Sequence, residues 1–154
     1  MHIADLAPGG ATVAVVCTDD ESAPVLSSAA DRGIPTEVVA RGDDESGTDH
    51  ESRLLGRLDD YEFDLVCMDG YMRVLSADLL DSLPTTLNVH PSLLPAFRGD
   101  DAHEQALDAG VRTTGATVHV ATEELDAGPI VTQEAVPVYE GDDAAALKRR
   151  VLHE

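Results

Sequence analysis

The sequence predicts an α/β fold, a mostly parallel twisted sheet flanked by helices. Three observations carry that prediction. Short apolar, β-branched runs recur along the chain, and segments with helical spacing separate them. The 154 residues show no internal repeat and no dividing linker, which fits one domain of ordinary size. Hydrophobic residues make up 43% of the chain, which supports a core and argues against generic disorder despite the charge.

The elements follow in order. Residues 2–7 (HIADLA) read as a helix stopped by Gly9 and Gly10, so no strand precedes the first helix. Residues 11–18 (ATVAVVCT) are a continuous β-branched run, expected as a strand buried on both faces. Residues 22–32 read as a helix, with Pro24 in the first turn and Gly33 as the stop. A short strand at 36–40 leads into a polar, acidic loop at 41–50, and a short helix at 51–58 follows. Residues 63–68 are the next buried strand, 77–82 are helical, and 86–90 are another strand. A helix at 101–109 ends at Gly110, and 115–121 and 130–138 read as later, less buried strands. Residues 142–154 form an amphipathic helix with Ala146, Leu147 and Val151 as its apolar stripe, and no cap follows it.

Charge narrows the function classes. Thirty acidic residues against ten basic ones give a net charge of -20, which repels a phosphate backbone and argues against a nucleic-acid partner. Lys148 is the sole lysine, and acid-rich, lysine-poor surfaces of this kind resemble those of halophilic proteins, where salt screens the self-repulsion. Cys17 and Cys67 sit inside apolar runs and read as small buried hydrophobes, not as a disulfide pair. No apolar stretch approaches the roughly 20 residues of a membrane span, and no signal peptide opens the chain. The expectation is a cytoplasmic protein without a membrane partner.

One segment concentrates reactive side chains: residues 87–99, LNVHPSLLPAFRG. A strand delivers Asn88 and His90 two residues apart, so both leave the same face of the sheet. An Asn can donate to a developing oxyanion, and a His can hand over a proton near neutral pH. The end of a parallel strand is also where open α/β sheets place their sites. The residues alone equally allow an Asn and a His that only cap the loop. A second segment, residues 122–129 (TEELDAGP), could bring Asp126 beside an imidazolium at His90, although solvated loop acids are the ordinary case. His119 lies in a strand near these residues and reads as a satisfied core histidine, and His103 as partly exposed on the next helix. No His, Cys or carboxylate grouping has zinc spacing, so no metal is expected.

Residues 88–95 (NVHPSLLP), with 70–75 (GYMRVL) before them and 124–129 (ELDAGP) after, closely resemble the phosphoribosylglycinamide formyltransferase family. The resemblance implies a Rossmann-like formyltransferase fold and a single catalytic domain over 1–154. It implies formyl transfer from 10-formyltetrahydrofolate, a co-substrate, to the amine of glycinamide ribonucleotide in purine synthesis, by a monomer or homodimer. Asn88, His90 and Asp126 fall on the family's catalytic positions. Its folate site maps onto Met72, Arg73, Val74, Leu75 and Asn88, and onto Thr122, Glu123, Glu124, Leu125 and Asp126. Measured against the family, the chain is expected to lack the first strand with its phosphate-binding loop, and a C-terminal stretch, leaving a domain incomplete at both ends and impaired as an enzyme. Arg98, Asp100 and Asp101 also replace a commoner wording in the loop on the substrate side. A folate- or nucleotide-binding module without catalysis, or a formyltetrahydrofolate deformylase-type hydrolase, are the alternatives.

Overall fold

A computed structural model describes residues 10–71 and 73–152. The readings at 2–7 and at Gly9, Met72, His153 and Glu154 lie outside the described residues. The chain divides into two compact units, Met1–Asp64 and Leu65–Glu154.

In the first unit, β1 (Val16–Thr18) pairs in parallel with β2 (Thr36–Val38), register Val16 to Thr36. The apolar run at 11–18 is therefore a strand over only three residues, because a ladder extends no further than its partner. Between them, α1 (Pro24–Ala30) starts with proline where its missing N–H is no loss, and Gly33 follows it at φ 66. The next helix, α2 (Gly47–Leu58), begins four residues before the expected start. Ser46 caps it: its Oγ accepts from the Asp49 amide at 3.1 Å. The acidic loop thus hid a helix start.

The second unit holds β3 (Val66–Met68), α3 (Ala77–Ser82), β4 (Thr86–His90), α4 (Ala102–Asp108), β5 (Thr113–Val120), β6 (Ile130–Pro137) and α5 (Ala144–Val151). Its sheet runs β3-β4-β5-β6. The β3–β4 pair is parallel, with α3 as the crossover, and β5 and β6 join antiparallel. The expected boundaries of α3 and β4 hold to the residue.

The core of this unit gathers Ala106, Val136, Val138 and Leu147, with Phe97, Leu107, Val111 and Val151 packed against them. The stripe expected on the last helix works as read, since Leu147 is fully buried and Val151 packs on that core. Arg150 secures α5 with two bonds to Asp142, at 2.6 and 2.9 Å, and a third to the Pro137 carbonyl. Several expectations of burial fail: β5, expected as a less buried strand, is the most buried of its sheet, since β4 and His90 pack along it. β1 is half-buried throughout, and β3 alternates half-buried and exposed residues. Cys67 is exposed and not a core residue, because it points to the opposite face of β3 from the half-buried Val66 and Met68.

Candidate active site

The site belongs to the second unit and is built from β4, β5 and two loops. Alternation on β4 sends Asn88 and His90 to one face, and the antiparallel register sets His119 opposite Asn88 and Thr117 opposite His90. His90, His119 and Asp126 are 5%, 2% and 6% exposed. Polar groups this deeply buried require partners, and each has them.

His90 is held at both ring nitrogens. Nε2 donates to the Phe97 carbonyl at 2.7 Å, and Nδ1 lies 3.2 Å from Asp126 Oδ2. A carbonyl and a carboxylate both accept, so an imidazolium satisfies every contact of this ring. His119 is different. Its Nδ1 faces the Val120 carbonyl at 3.0 Å and must donate there. In the neutral ring Nε2 is then an acceptor, 3.2 Å from Asn88 Nδ2 and 3.5 Å from Asp126 Oδ1. His119 is thus a buried, satisfied histidine, as expected, but its partners are the candidate catalytic groups themselves.

The loop after β4 is folded to deliver backbone groups. Ser92 donates its amide to the His90 carbonyl and its hydroxyl to the Ala96 carbonyl. Phe97 follows at φ 56, a left-handed conformation that L-residues adopt at a cost, and this turn brings its carbonyl to His90. Gly99, at φ 77, gives its amide to Asp126 Oδ2 at 2.8 Å. Asp126 is itself left-handed, at φ 49. Its loop returns toward β5 at Gly128, where a Cβ would lie 1.8 Å from the Val120 carbonyl oxygen. Glycine is the one residue that fits that crossing.

The remaining candidate positions are arranged around these. Arg73 and Val74 are exposed and Leu75 is buried; Thr122, Glu123, Glu124 and Leu125 are exposed. Met72 lies outside the described residues. Arg98 reaches Glu124 at 3.3 Å and links the two loops. His103 is half-buried as expected, and burial pushes its imidazole below the ordinary histidine value. Among the described residues no grouping of three His, Cys, Asp or Glu side chains suits a metal ion. Sequence reasoning missed the Phe97 carbonyl, the Gly99 amide, Thr117 and Gln133. The period-2 pattern of TVHV, which puts Thr117 and His119 on one face, was the available signal for Thr117.

Comparison with known proteins gives a consistent result. The family model described as Formyl transferase matches residues 3–154. The trifunctional purine biosynthetic protein adenosine-3 of Homo sapiens is 42% identical over 142 residues, 92% of this chain and 14% of that protein. Phosphoribosylglycinamide formyltransferase of Escherichia coli (strain K12) is 36% identical over 141 residues, 91% of this chain and 66% of that one. The crystal structure of glycinamide ribonucleotide transformylase 1 from Symbiobacterium toebii superposes with a TM-score of 0.87 at 44% identity, covering 91% of this chain and 66% of that one. The chain therefore spans about a seventh of the human protein's length and about two-thirds of the two bacterial ones.

Proposed function

The chain belongs to the formyl transferase family, and from that premise we propose that it moves a formyl group from 10-formyltetrahydrofolate to the amine of glycinamide ribonucleotide. The observation that carries this reading is the buried His90–Asp126 pair, with Asn88 two residues before His90 on the same face of β4. The amine attacks the formyl carbon, and the carbonyl oxygen becomes an oxyanion on a tetrahedral centre. The carbon–nitrogen bond to the folate then breaks. The incoming amine loses a proton and the departing nitrogen gains one.

Each of these groups has a task in that sequence. Asp126 accepts from His90 Nδ1–H and fixes the orientation of the ring. Nε2–H is the proton that can be delivered, and the Phe97 carbonyl aims the ring until a substrate oxygen takes its place. Asn88 directs one amide hydrogen to His119, which leaves its second hydrogen for the oxyanion. Val74 and Leu125, 59% and 51% exposed, offer apolar walls for a pterin, with Met72, Arg73, Leu75 and residues 122–126 completing the folate site. No helix among the described residues is long and apolar enough to cross a membrane, and a cytoplasmic setting accords with soluble substrates.

The test is transfer measured in concentrated salt, which screens the -20 charge against two anionic substrates. His90→Ala is expected to lower kcat by about 10²- to 10⁴-fold. An unchanged kcat overturns the reading. Release of formate without formylated amine identifies a hydrolase instead.

A further inference from the structure

His90, Thr117 and Gln133 form one register-matched row across β4, β5 and β6, on one face of the sheet. Its inner end carries the candidate chemistry. Its outer end, on the last strand of the sheet, carries a side chain that the reaction scheme leaves unused. Hydrogen bonds and short stretches of backbone join the two ends. Gln133 Nε2 donates to the Leu94 carbonyl at 3.0 Å and to Thr117 Oγ1 at 2.9 Å. Thr117 Oγ1 also accepts from the Leu94 amide at 3.0 Å and donates to the Ser92 carbonyl at 2.6 Å. Ser92 Oγ in turn holds the Ala96 carbonyl. Both backbone groups of Leu94 are thus tied to side chains of β5 and β6, and the next carbonyl after Ala96 is that of Phe97, on His90 Nε2.

We propose that Gln133 is a positioning residue for His90. It acts through the Ser92–Phe97 loop and does not touch substrate. The inference rests on the reading of His90 as the group that delivers a proton. A glutamine suits the task because its amide nitrogen carries two hydrogens, one for each oxygen it meets. Without it, the Leu94 carbonyl and the Thr117 hydroxyl lose a donor together. The Phe97 carbonyl then no longer holds one place, and fewer imidazole rings are aimed at any instant.

The experiment follows the His90 Nε2–H proton by ¹⁵N-edited NMR alongside formyl-transfer kinetics. In Gln133→Leu that proton is expected to exchange with water at least about tenfold faster, because its carbonyl partner is loosened. Transfer should lose about three- to tenfold in kcat with KM changed by less than about twofold. Glu134→Gln, on the opposite face of the same strand, should move neither. If Gln133→Leu does not fold, Gln133→Glu replaces it. Its carboxylate cannot donate at neutral pH, and part of the effect should reverse as it protonates near pH ~4.3. Unchanged exchange with kcat equal to or above that of the parent overturns the proposal. If the parent chain transfers no formyl group, the functional reading falls, and proton exchange alone decides the role of Gln133.

Discussion

In Met1–Asp64 a buried histidine, His50, lies 3.6 Å from Glu45; in Leu65–Glu154 two buried histidines, His90 and His119, lie 3.2 and 3.5 Å from Asp126. The residue types match, and the counter-charges differ. Glu45 receives two bonds from the Arg53 guanidinium, at 2.6 and 2.8 Å, and that pairing holds its carboxyl down at about 2. An arginine keeps its charge at every working pH, so the Glu45 arrangement is locked. Asp126 instead accepts from the Gly99 amide and from His90 Nδ1, with His119 Nε2 3.5 Å from its other oxygen. An imidazole, unlike a guanidinium, exists with one or two N–H groups, so the proposed reaction can draw on this pair. A histidine beside a carboxylate becomes a candidate for chemistry when the carboxylate's positive partner is itself titratable.

After His90→Ala itself, the largest effect should come from removing the charge of Asp126 while keeping its shape. Asp126→Asn retains an oxygen for the Gly99 amide and loses the partner of an imidazolium at His90. Steady-state kinetics should show kcat/KM lower by about 10²- to 10³-fold. A melting temperature close to that of the parent would confirm that the loss lies in the chemistry. A variant that unfolds as well would place Asp126 in the same structural class as Glu45, and the contrast between the two clusters would collapse.

The next effect concerns how Asp126 is delivered. Gly128→Ala places a methyl group 1.8 Å from the Val120 carbonyl oxygen, a contact that only a backbone shift relieves. The expected cost is about 2–4 kcal/mol by denaturant unfolding, as for other substitutions that force the backbone apart. Transfer should fall in parallel, since the displaced loop carries Asp126. Gly33→Ala serves as the reference in the first unit: nothing lies within 4 Å of its added methyl, and only its φ of 66 opposes the change. It should cost about 1 kcal/mol. Equal costs at the two glycines would mean that the 121–129 loop yields easily and is not a rigid mount.

Legibility in the sequence followed how local the cause was. The boundaries of α3 and β4 were readable because a Ser cap and a proline-stiffened exit lie in the same short window. The start of α2 was equally local, and the run of acids around Ser46 and Asp49 obscured it. β1 and β3 came out too long because the length of a strand depends on a partner far along the chain. In the site, the period of two was enough to pair Asn88 with His90, and the family resemblance singled out Asp126. The meeting of His90 with Asp126, and of Thr117 with Gln133, depends on loop closure and antiparallel register, which no local pattern encodes. The Phe97 carbonyl and the Gly99 amide are backbone groups, and a search by side-chain type passes over them.

The smallest effect separates two arginine–glutamate pairs that look alike in sequence. Arg53 grips Glu45 with two nitrogens, and the Glu45 side chain is 15% exposed; Arg98 meets Glu124 with one nitrogen at 3.3 Å, the side chains 42% and 77% exposed. Glu45 has a lowered folded-state value, so its pair contributes stability above the ordinary carboxylate range near 4.5 and loses it as pH falls toward about 2. Arg53→Gln removes the main cause of that lowering, so Glu45 protonates earlier. An acid titration followed by circular dichroism should then show unfolding of the first unit begin at higher pH. Arg98→Gln should leave the acid limb where it was and change stability by less than about 1 kcal/mol, because an exposed single contact gains little over water. Salt should abolish what remains of that difference. If Arg98→Gln moved the acid limb as far as Arg53→Gln, bidentate geometry and burial would not be what locks Glu45, and the distinction between a locked carboxylate and a working one would need another cause.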